Sequence, residues 1–381
     1  MTTTTRPSEH TGTPQVMYLA LEMGQAQWKI GTTTSASARP RTKTIVAGDL
    51  AALAREIEAA QARWGLVGAQ VYSCYEAGRD GFWVHRWLTA HGVINVVLDA
   101  SSIEVPRRAR RAKTDRLDLG GLLSLLIRRV AGDQRCARVV RVPTVAEEDA
   151  RQVGRALATA QTERTRQRNR LHALLAAMGV RLPLTGDFPT ALAAVPLWDG
   201  TAMPAGVIAR AEAEWTRLQL VETQIRTLEA RRRAQAADVT AVSHAHVQQL
   251  AGLRALGLTG ATTFVYEVFG WRQLRNRREV GALFGLTPTP WASGTLVREQ
   301  GISKTGNRQI RALAIEIAWG WLRWQPTSAL SQWYADHYGR GNSRHRRIGI
   351  VAVARRLMIA LWRYLETGEI PAGATLKPVE A

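Results

Sequence analysis

Between residues 15 and 99 the apolar positions switch repeatedly between a period of two and a period near 3.6. The order of those switches limits the fold more than any composition figure. Residues 15–23, 28–34 and 42–47 alternate as strands joined by short turns. Residues 49–64 then carry Leu50, Leu53, Ile57 and Ala60 on one helical stripe. A strand pattern at 68–75, a helix at 81–91 and a strand at 94–99 follow. After a basic loop, Asp115–Val130 reads as a helix with Leu119, Leu122, Leu123 and Leu126 inward. Three strand patterns in succession imply a meander, and the β-α-β units behind them imply parallel additions to it. The expectation is a mixed sheet flanked by helices.

Beyond residue 142 the strand patterns stop. Residues 144–178 form one long helical pattern with Val153, Leu157, Leu171, Leu174, Leu175 and Met178 as its apolar stripe. A break containing Gly and Pro spans 179–205, and a second helix covers 207–236. A helical hairpin or coiled coil and an ordinary bundle both fit this pattern. Short helices are expected around Gly252, Gly257 and Gly260, then a small helix and a Pro-rich loop over 279–292. Tryptophan-rich helices are expected at 307–325 and 345–366. The fold class is therefore α/β followed by α. Its parts are a disordered polar leader at 1–14, a mixed-sheet domain at 15–142, a helical spacer at 143–245, a mainly helical domain at 246–370 and a tail at 371–381.

Charge narrows the partners. Lys and Arg total 51 against 31 Asp and Glu, a formal net charge of +20. The excess is +8 over 1–142, +2 over 143–250 and +10 over 251–381, so both ends are basic and the middle is nearly balanced. Only five of the cations are lysines, and arginine suits bidentate phosphate contacts. Arg107, Arg108, Arg110, Arg111 and Lys113 form one cluster, Arg275, Arg277 and Arg278 a second, and Arg344, Arg346 and Arg347 a third. Nucleic acid is the expected partner. The polar N-terminus has no apolar core for a secretory signal, and no apolar run reaches the roughly 18 residues of a membrane span. Two cysteines, Cys74 and Cys136, exclude a disulfide scaffold and fit a reducing compartment. A bacterial cytoplasmic, nucleoid-associated protein without membrane contact is expected.

Four carboxylates fall where such a sheet brings residues together. Glu22 ends the first strand and Glu76 the fourth, while Asp115 and Asp118 lie at i,i+3 on one helix face. Clustered acids are costly unless neutralised, and Mg²⁺ or Mn²⁺ neutralises them with oxygen ligands and can clamp a phosphodiester. Farther along, Ala282-Leu-Phe-Gly-Leu-Thr-Pro288, Ser293-Gly294 and Gly301-Ile-Ser-Lys-Thr-Gly-Asn-Arg308 form the most specific text. Glycine and proline on both sides place Ser293 in a loop. Lys304, Arg308 and Arg311 follow at helix-compatible spacing, as a phosphate clamp would. Ser303 is the second hydroxyl of the block, expected to cap a helix or contact phosphate. Residues 251–268 faintly resemble a helix-hairpin-helix. Of Trp319, Trp321, Trp324, Trp333 and Trp362, one or two are expected to stack on bases and the rest to be core.

Glu76, the Lys-Thr-Asp-Arg-Leu-Asp run and the Gly-Leu-Thr-Pro…Ser-Gly…Gly-Ile-Ser-Lys-Thr-Gly-Asn-Arg block together resemble the DEDD-type, serine-dependent insertion-sequence transposases, recombinases guided by a bridge (or seeker) RNA. The resemblance runs from about residue 17 to 366, with both motif blocks in the family's order. It implies a ribonuclease-H-like (Holliday-resolvase-like) N-terminal domain, a coiled-coil spacer and a helical transposase domain. It implies Glu22, Glu76, Asp115 and Asp118 as Mg²⁺ (or Mn²⁺) ligands and Ser293 as a nucleophile that forms a phosphoserine with DNA. Arg107, Arg108, Arg110, Arg111, Lys113, Arg277, Arg278, Lys304, Arg308 and Arg311 are the expected nucleic-acid contacts. Element and target DNA, a guide non-coding RNA and a homo-oligomer (dimer or tetramer) are the implied partners. Glu22 stands where that family usually has aspartate, which extends the first carboxylate by one methylene. The rival readings are a metal-only Holliday-junction resolvase-like nuclease and a degenerate copy that only binds nucleic acid.

Overall fold

The computed structural model describes residues 16–78, 81–103, 115–241, 243–293 and 296–378, with backbone only at 101, 115–118, 290–293 and 296–300. The leader at 1–14 lies outside the described residues. The chain divides into two units, Met1–Val142 and Pro143–Ala381.

The first unit is built on β1 (Met17–Met23), β2 (Gln27–Thr33) and β3 (Arg41–Val46), followed by α1 (Leu50–Arg63), β4 (Val71–Glu76), α2 (Trp83–Ala90), β5 (Ile94–Leu98) and α3 (Asp115–Val130). The sheet order is β3-β2-β1-β4-β5, with β1–β2 and β2–β3 antiparallel and β1–β4 and β4–β5 parallel. The strand at the centre, β1, is buried from Met17 to Leu21. It therefore reads as a continuous apolar run, as strands covered on both faces do. Edge strand β3 is mostly exposed and carries Arg41 and Lys43, charges that discourage edge-to-edge pairing.

Strand parity separates two cores. Met17, Leu19, Leu21, Val71 and Tyr75 pack with Leu53, Ile57 and Ala60 of α1 and Val84 and Leu88 of α2. Tyr18, Ala20 and Cys74 face the other way, onto Leu119, Leu122, Leu123 and Leu126 of α3. Gly31, paired with Ala20, makes room for α3: a Cβ there would stand 3.2 Å from Leu123 Cδ1 and 3.5 Å from Leu119 Cδ2. Helix α1 starts where Asp49 accepts the Ala52 amide at 2.8 Å, an ordinary N-cap.

In the second unit α4 (Val145–Asp149) begins with a capping box, Thr144 Oγ1 accepting from the Glu147 amide and Glu147 accepting from the Thr144 amide. The single helix expected over 144–178 is interrupted at 150–151, and α5 (Gln152–Ala176) follows. The cause is tertiary. Gln235 Nε2 donates to the Ala150 carbonyl at 3.1 Å, and buried Arg151 sits 4.8 Å from the Trp271 ring and 3.5 Å from Glu148. Burial, with Arg155 alongside, lowers the Arg151 pKa.

The break at 179–205 holds a short helix, α6 (Phe188–Ala194), and α7 (Ala205–Ala237) returns along α5. Leu157 and Ala160 meet Val221 and Ile225, while Leu171 and Leu175 meet Ala211, Trp215 and Leu218. Early α5 thus lies on late α7, an antiparallel hairpin within one chain. Phe188 and Leu192 of α6 join the core near its turn.

The remaining body comprises α8 (His244–Ala251), α9 (Leu258–Phe264) running into a π-turn at Val265–Phe269, and α10 (Arg277–Leu283). The hairpin β6 (Pro288–Ser293) and β7 (Leu296–Ile302) comes next. It is followed by α11 (Arg308–Trp324), α12 (Ala329–Tyr338) and α13 (Ser343–Thr367). Their shared core includes Leu250, Phe264, Phe284, Ala314, Trp321, Val353 and Leu357. Among the described residues no helix is long and apolar enough to cross a membrane.

Leu123 is 2% exposed at the α3–sheet contact. Leu123→Ala should cost about 2–5 kcal/mol, read as a lower denaturant midpoint. An unchanged midpoint would mean that α3 is not held by this contact.

Candidate active site

Parity and register decide where the first two acids stand. The β1–β4 ladder ends with Leu21 paired to Tyr75, so Glu22 and Glu76, one residue on, adjoin at the ends of neighbouring parallel strands. Both share the parity of Ala20 and Cys74, the face covered by α3. Glu22 is half-buried and stands opposite Lys29 across β1–β2, whereas Glu76 is exposed and pairs with Leu98. Asp115 and Asp118 occupy the first turn of α3, a turn ahead of the leucines that pack on that face. Their side chains lie outside the described residues. Among the described residues no three acidic, histidine or cysteine side chains converge. A four-carboxylate site therefore depends on α3 presenting its two aspartates to the strand ends.

Cys74, two residues before Glu76, is buried against α3. Burial, and then nearby Cys136, push the Cys74 thiol far up. Cys74 stays protonated, and its Sγ donates to the Leu122 carbonyl at 3.5 Å.

Ser293 is the last residue of β6, paired with Leu296 of β7, and not a loop residue as expected from its glycine and proline neighbours. A two-stranded hairpin has open edges, so Pro288 and Pro290 are tolerated where a central strand would reject them. The register shifts between them.

The hairpin is rooted by a backbone crossing. Lys304 N donates to the Gly285 carbonyl at 3.1 Å and Ser303 N to the Thr287 carbonyl at 2.9 Å. Gly285 (φ +64°) and Gly306 (φ +74°) have left-handed backbones, and a Cβ on either would run into the backbone of the other segment, at Thr305 or at Leu283. The two halves of the motif are thus one object in space.

The phosphate-clamp residues fall differently from the single helical stripe expected. Lys304 precedes the helix with φ +55°, and only Arg308 and Arg311 belong to α11. The Arg311 guanidinium donates to the Thr305 carbonyl at 2.9 Å, so it also braces the crossing. Asn307, not Ser303, caps α11 by accepting from the Gln309 amide at 2.8 Å. Ser303 Oγ lies 3.2 Å from Thr305 Oγ1. Exposed Arg277 and Arg278 open α10 behind its cap Asn276, which accepts from the Arg278 and Glu279 amides. The two asparagine caps were missed in the sequence, although Asn276 and Glu279 stand at capping-box spacing. Arg277, Arg278, Lys304 and Arg308 are thus exposed at or just before helix N-termini, where the backbone carries partial positive charge. Arg107, Arg108, Arg110, Arg111 and Lys113 lie outside the described residues.

Of the tryptophans, Trp321 is fully buried and donates from Nε1 to Ser328 Oγ at 2.9 Å. Trp333 and Trp362 pack partly against the core, while Trp319 and Trp324 are exposed. The 251–268 segment takes in the last residue of α8, a connection, α9 and most of the π-turn, with Gly257 at the N-cap of α9.

Residues 246–333 match the model of the transposase IS116/IS110/IS902 family. A Sinorhizobium fredii protein designated a transposase, y4rJ, is 37% identical over 376 residues, covering 95% of this chain and 94% of that one. A second protein of that organism with the same designation, y4qE, is 29% identical over 254 residues, 65% of this chain and 58% of the other. The chain belongs to the IS116/IS110/IS902 family of insertion-sequence transposases, enzymes of DNA cleavage and transfer.

Gly285→Val should cost at least ~1 kcal/mol through its left-handed backbone and more through the crossing with Thr305. The expected result is a lower urea midpoint with unchanged slope. Wild-type stability would show that the crossing does not root the hairpin.

Proposed function

We propose that this transposase cuts and rejoins DNA through Ser293, with a divalent metal held by Glu22, Glu76, Asp115 and Asp118, and that a non-coding RNA directs it to its target. The observation that carries the proposal is the adjoining placement of Glu22 and Glu76 on the sheet face that α3 covers. The strand order, three antiparallel strands continued by two parallel ones, supports a ribonuclease-H-like, Holliday-resolvase-like reading of the first unit. Membership in an insertion-sequence family supports DNA as the substrate.

In this reading Arg277, Arg278, Lys304 and Arg308 bind backbone phosphates and Arg311 supports the loop beneath them. The Ser293 hydroxyl attacks a DNA phosphorus: the Oγ–P bond forms, the P–O3′ bond breaks, the serine proton leaves to solvent and the freed 3′-oxygen takes one up. A second 3′-hydroxyl then attacks the phosphoserine, restoring a phosphodiester and returning Ser293. Bound Mg²⁺ or Mn²⁺ would neutralise charge on the phosphate and the departing oxygen. Glu22 can serve as ligand despite its extra methylene, since carboxylates of either length bind such ions. The acids belong to the first unit and Ser293 to the second, which suits a homo-oligomer whose subunits share sites. The +20 charge suits a chain that carries an RNA as well as DNA.

Ser293→Ala tests the chemistry. Covalent protein–DNA adducts, captured by denaturing gel on labelled element ends, should fall by roughly 10³-fold or more. Metal-dependent cleavage that persists in this variant would replace the proposal with the metal-only nuclease. RNA guidance has a separate test. Protein expressed with its native flanking DNA should copurify with one discrete structured RNA from the element's non-coding end. Random cellular RNA alone would remove the guided mechanism.

A further inference from the structure

A cavity in the second unit takes no part in the reaction above. It measures about 780 Å³ and lies between the α8–α9 connection and the outer side of α11. That volume is within the range of ligand sites, about 300–1,000 Å³. Gly257 and Gly320 leave open space on its lining, Gly260 lets Ile317 approach closely, and Leu313 adds half-buried apolar surface. One wall is Trp324, 58% exposed although it ends a helix whose neighbouring Trp321 is fully buried. The Arg323 guanidinium stands 5.1 Å from the Trp324 ring centroid. A ring flanked on one face by a guanidinium keeps its other face for a second flat group.

The rim is cationic and rigid. Arg254 is exposed on it, and Glu316 is the one acid lining the cavity. Lys377 also lines it, but its ammonium donates to the Ala251 and Leu256 carbonyls and thereby pins the α8–α9 connection. Buried Gln325 fastens the assembly: its Nε2 donates to the Arg254 and Thr375 carbonyls, and its Oε1 accepts from the Thr375 amide. Ala255, between Arg254 and Leu256, is held at φ +74°, a strained conformation for a residue with a Cβ. A tryptophan placed at an open apolar slot by a buried, satisfied amide is a preorganised platform.

We infer that this cavity binds an unpaired nucleobase, stacked on Trp324, with Arg254 and Arg323 taking the adjoining phosphates. Charge favours this occupant over an apolar protein segment, because among the described residues Arg254 and Lys377 line the cavity, with Arg323 beside Trp324, against the one acid Glu316. Stacking accepts any base, since every base has a π-face. Glu316 adds discrimination, because a carboxylate accepts from the exocyclic amino groups that adenine, cytosine and guanine carry and thymine and uracil lack. The inference rests on the reading of the chain as a nucleic-acid enzyme but requires none of its chemistry.

The test is fluorescence anisotropy with full-length protein and labelled strands of about 15 nucleotides, as single-stranded DNA, single-stranded RNA and blunt DNA duplex. Trp324→Leu should weaken single-strand binding roughly 5- to 150-fold and leave duplex binding unchanged, while Trp324→Phe retains most of the affinity. The strand type that loses affinity, DNA or RNA, identifies the source of the base. Equal binding by wild type and Trp324→Leu overturns the stacking site alone and leaves the surface for a protein partner. A uniform loss on all three probes that Phe does not rescue also overturns it, as a structural defect. Wild-type protein that binds none of the probes would overturn the nucleic-acid reading itself.

Discussion

The parity of β1 is the constraint on which the first unit depends. Its residues feed two cores in alternation: Met17, Leu19 and Leu21 to α1 and α2, Tyr18 and Ala20 to α3. Because side chains alternate strictly along a strand, a one-residue slip would exchange the two cores entirely and carry Glu22 to the opposite face. Packing worth many kcal/mol thus fixes the position of a carboxylate that itself contributes little to stability. The apolar register aligns Glu22 with Glu76, and the leucines of α3 direct its first turn to the same face. The fold positions the acids as a by-product of burying its leucines.

Local chemistry made much of this legible in the sequence. The bounds of α3 are those of its leucine stripe, and α1 begins behind Asp49, a capping residue recognisable by type. What escaped was determined at a distance. The interruption between α4 and α5 comes from Gln235 and Trp271, far away in the chain, which engage Ala150 and Arg151. No periodicity within 144–178 encodes that. The β6–β7 hairpin was hidden by its prolines, which argue against a strand unless the strand has an open edge. Lys304 seemed to share a helical stripe with Arg308 and Arg311 because sequence spacing carries no sign of its left-handed backbone.

The two units divide the labour by charge as well as by fold. In the first unit Glu22 and Glu76 stand near the ends of adjoining parallel strands. In the second, helix N-termini capped by Asn276 and Asn307 present arginines to solvent. Between the helix-rich body and the break at 179–205 runs the α5–α7 hairpin. Its contacts include pairs such as Arg170 with Glu214 and Arg168 with Glu222, 3.8 Å apart and partly exposed. Such pairs contribute modestly, about 0–1 kcal/mol, so the leucine and tryptophan seam beneath them carries the hairpin.

The crossing of Gly285 and Gly306 also has a mechanical consequence. It fixes both feet of the hairpin at one point, while Ser293 stands at the far end of a six-residue strand, about 20 Å away at the usual rise. A rigid arm on a fixed pivot turns small angles into useful travel: a rotation of about ten degrees sweeps its end through roughly 3 Å over that length. The position of Ser293 is then governed by the pivot: two glycines and the arginine that braces them set where the serine can go.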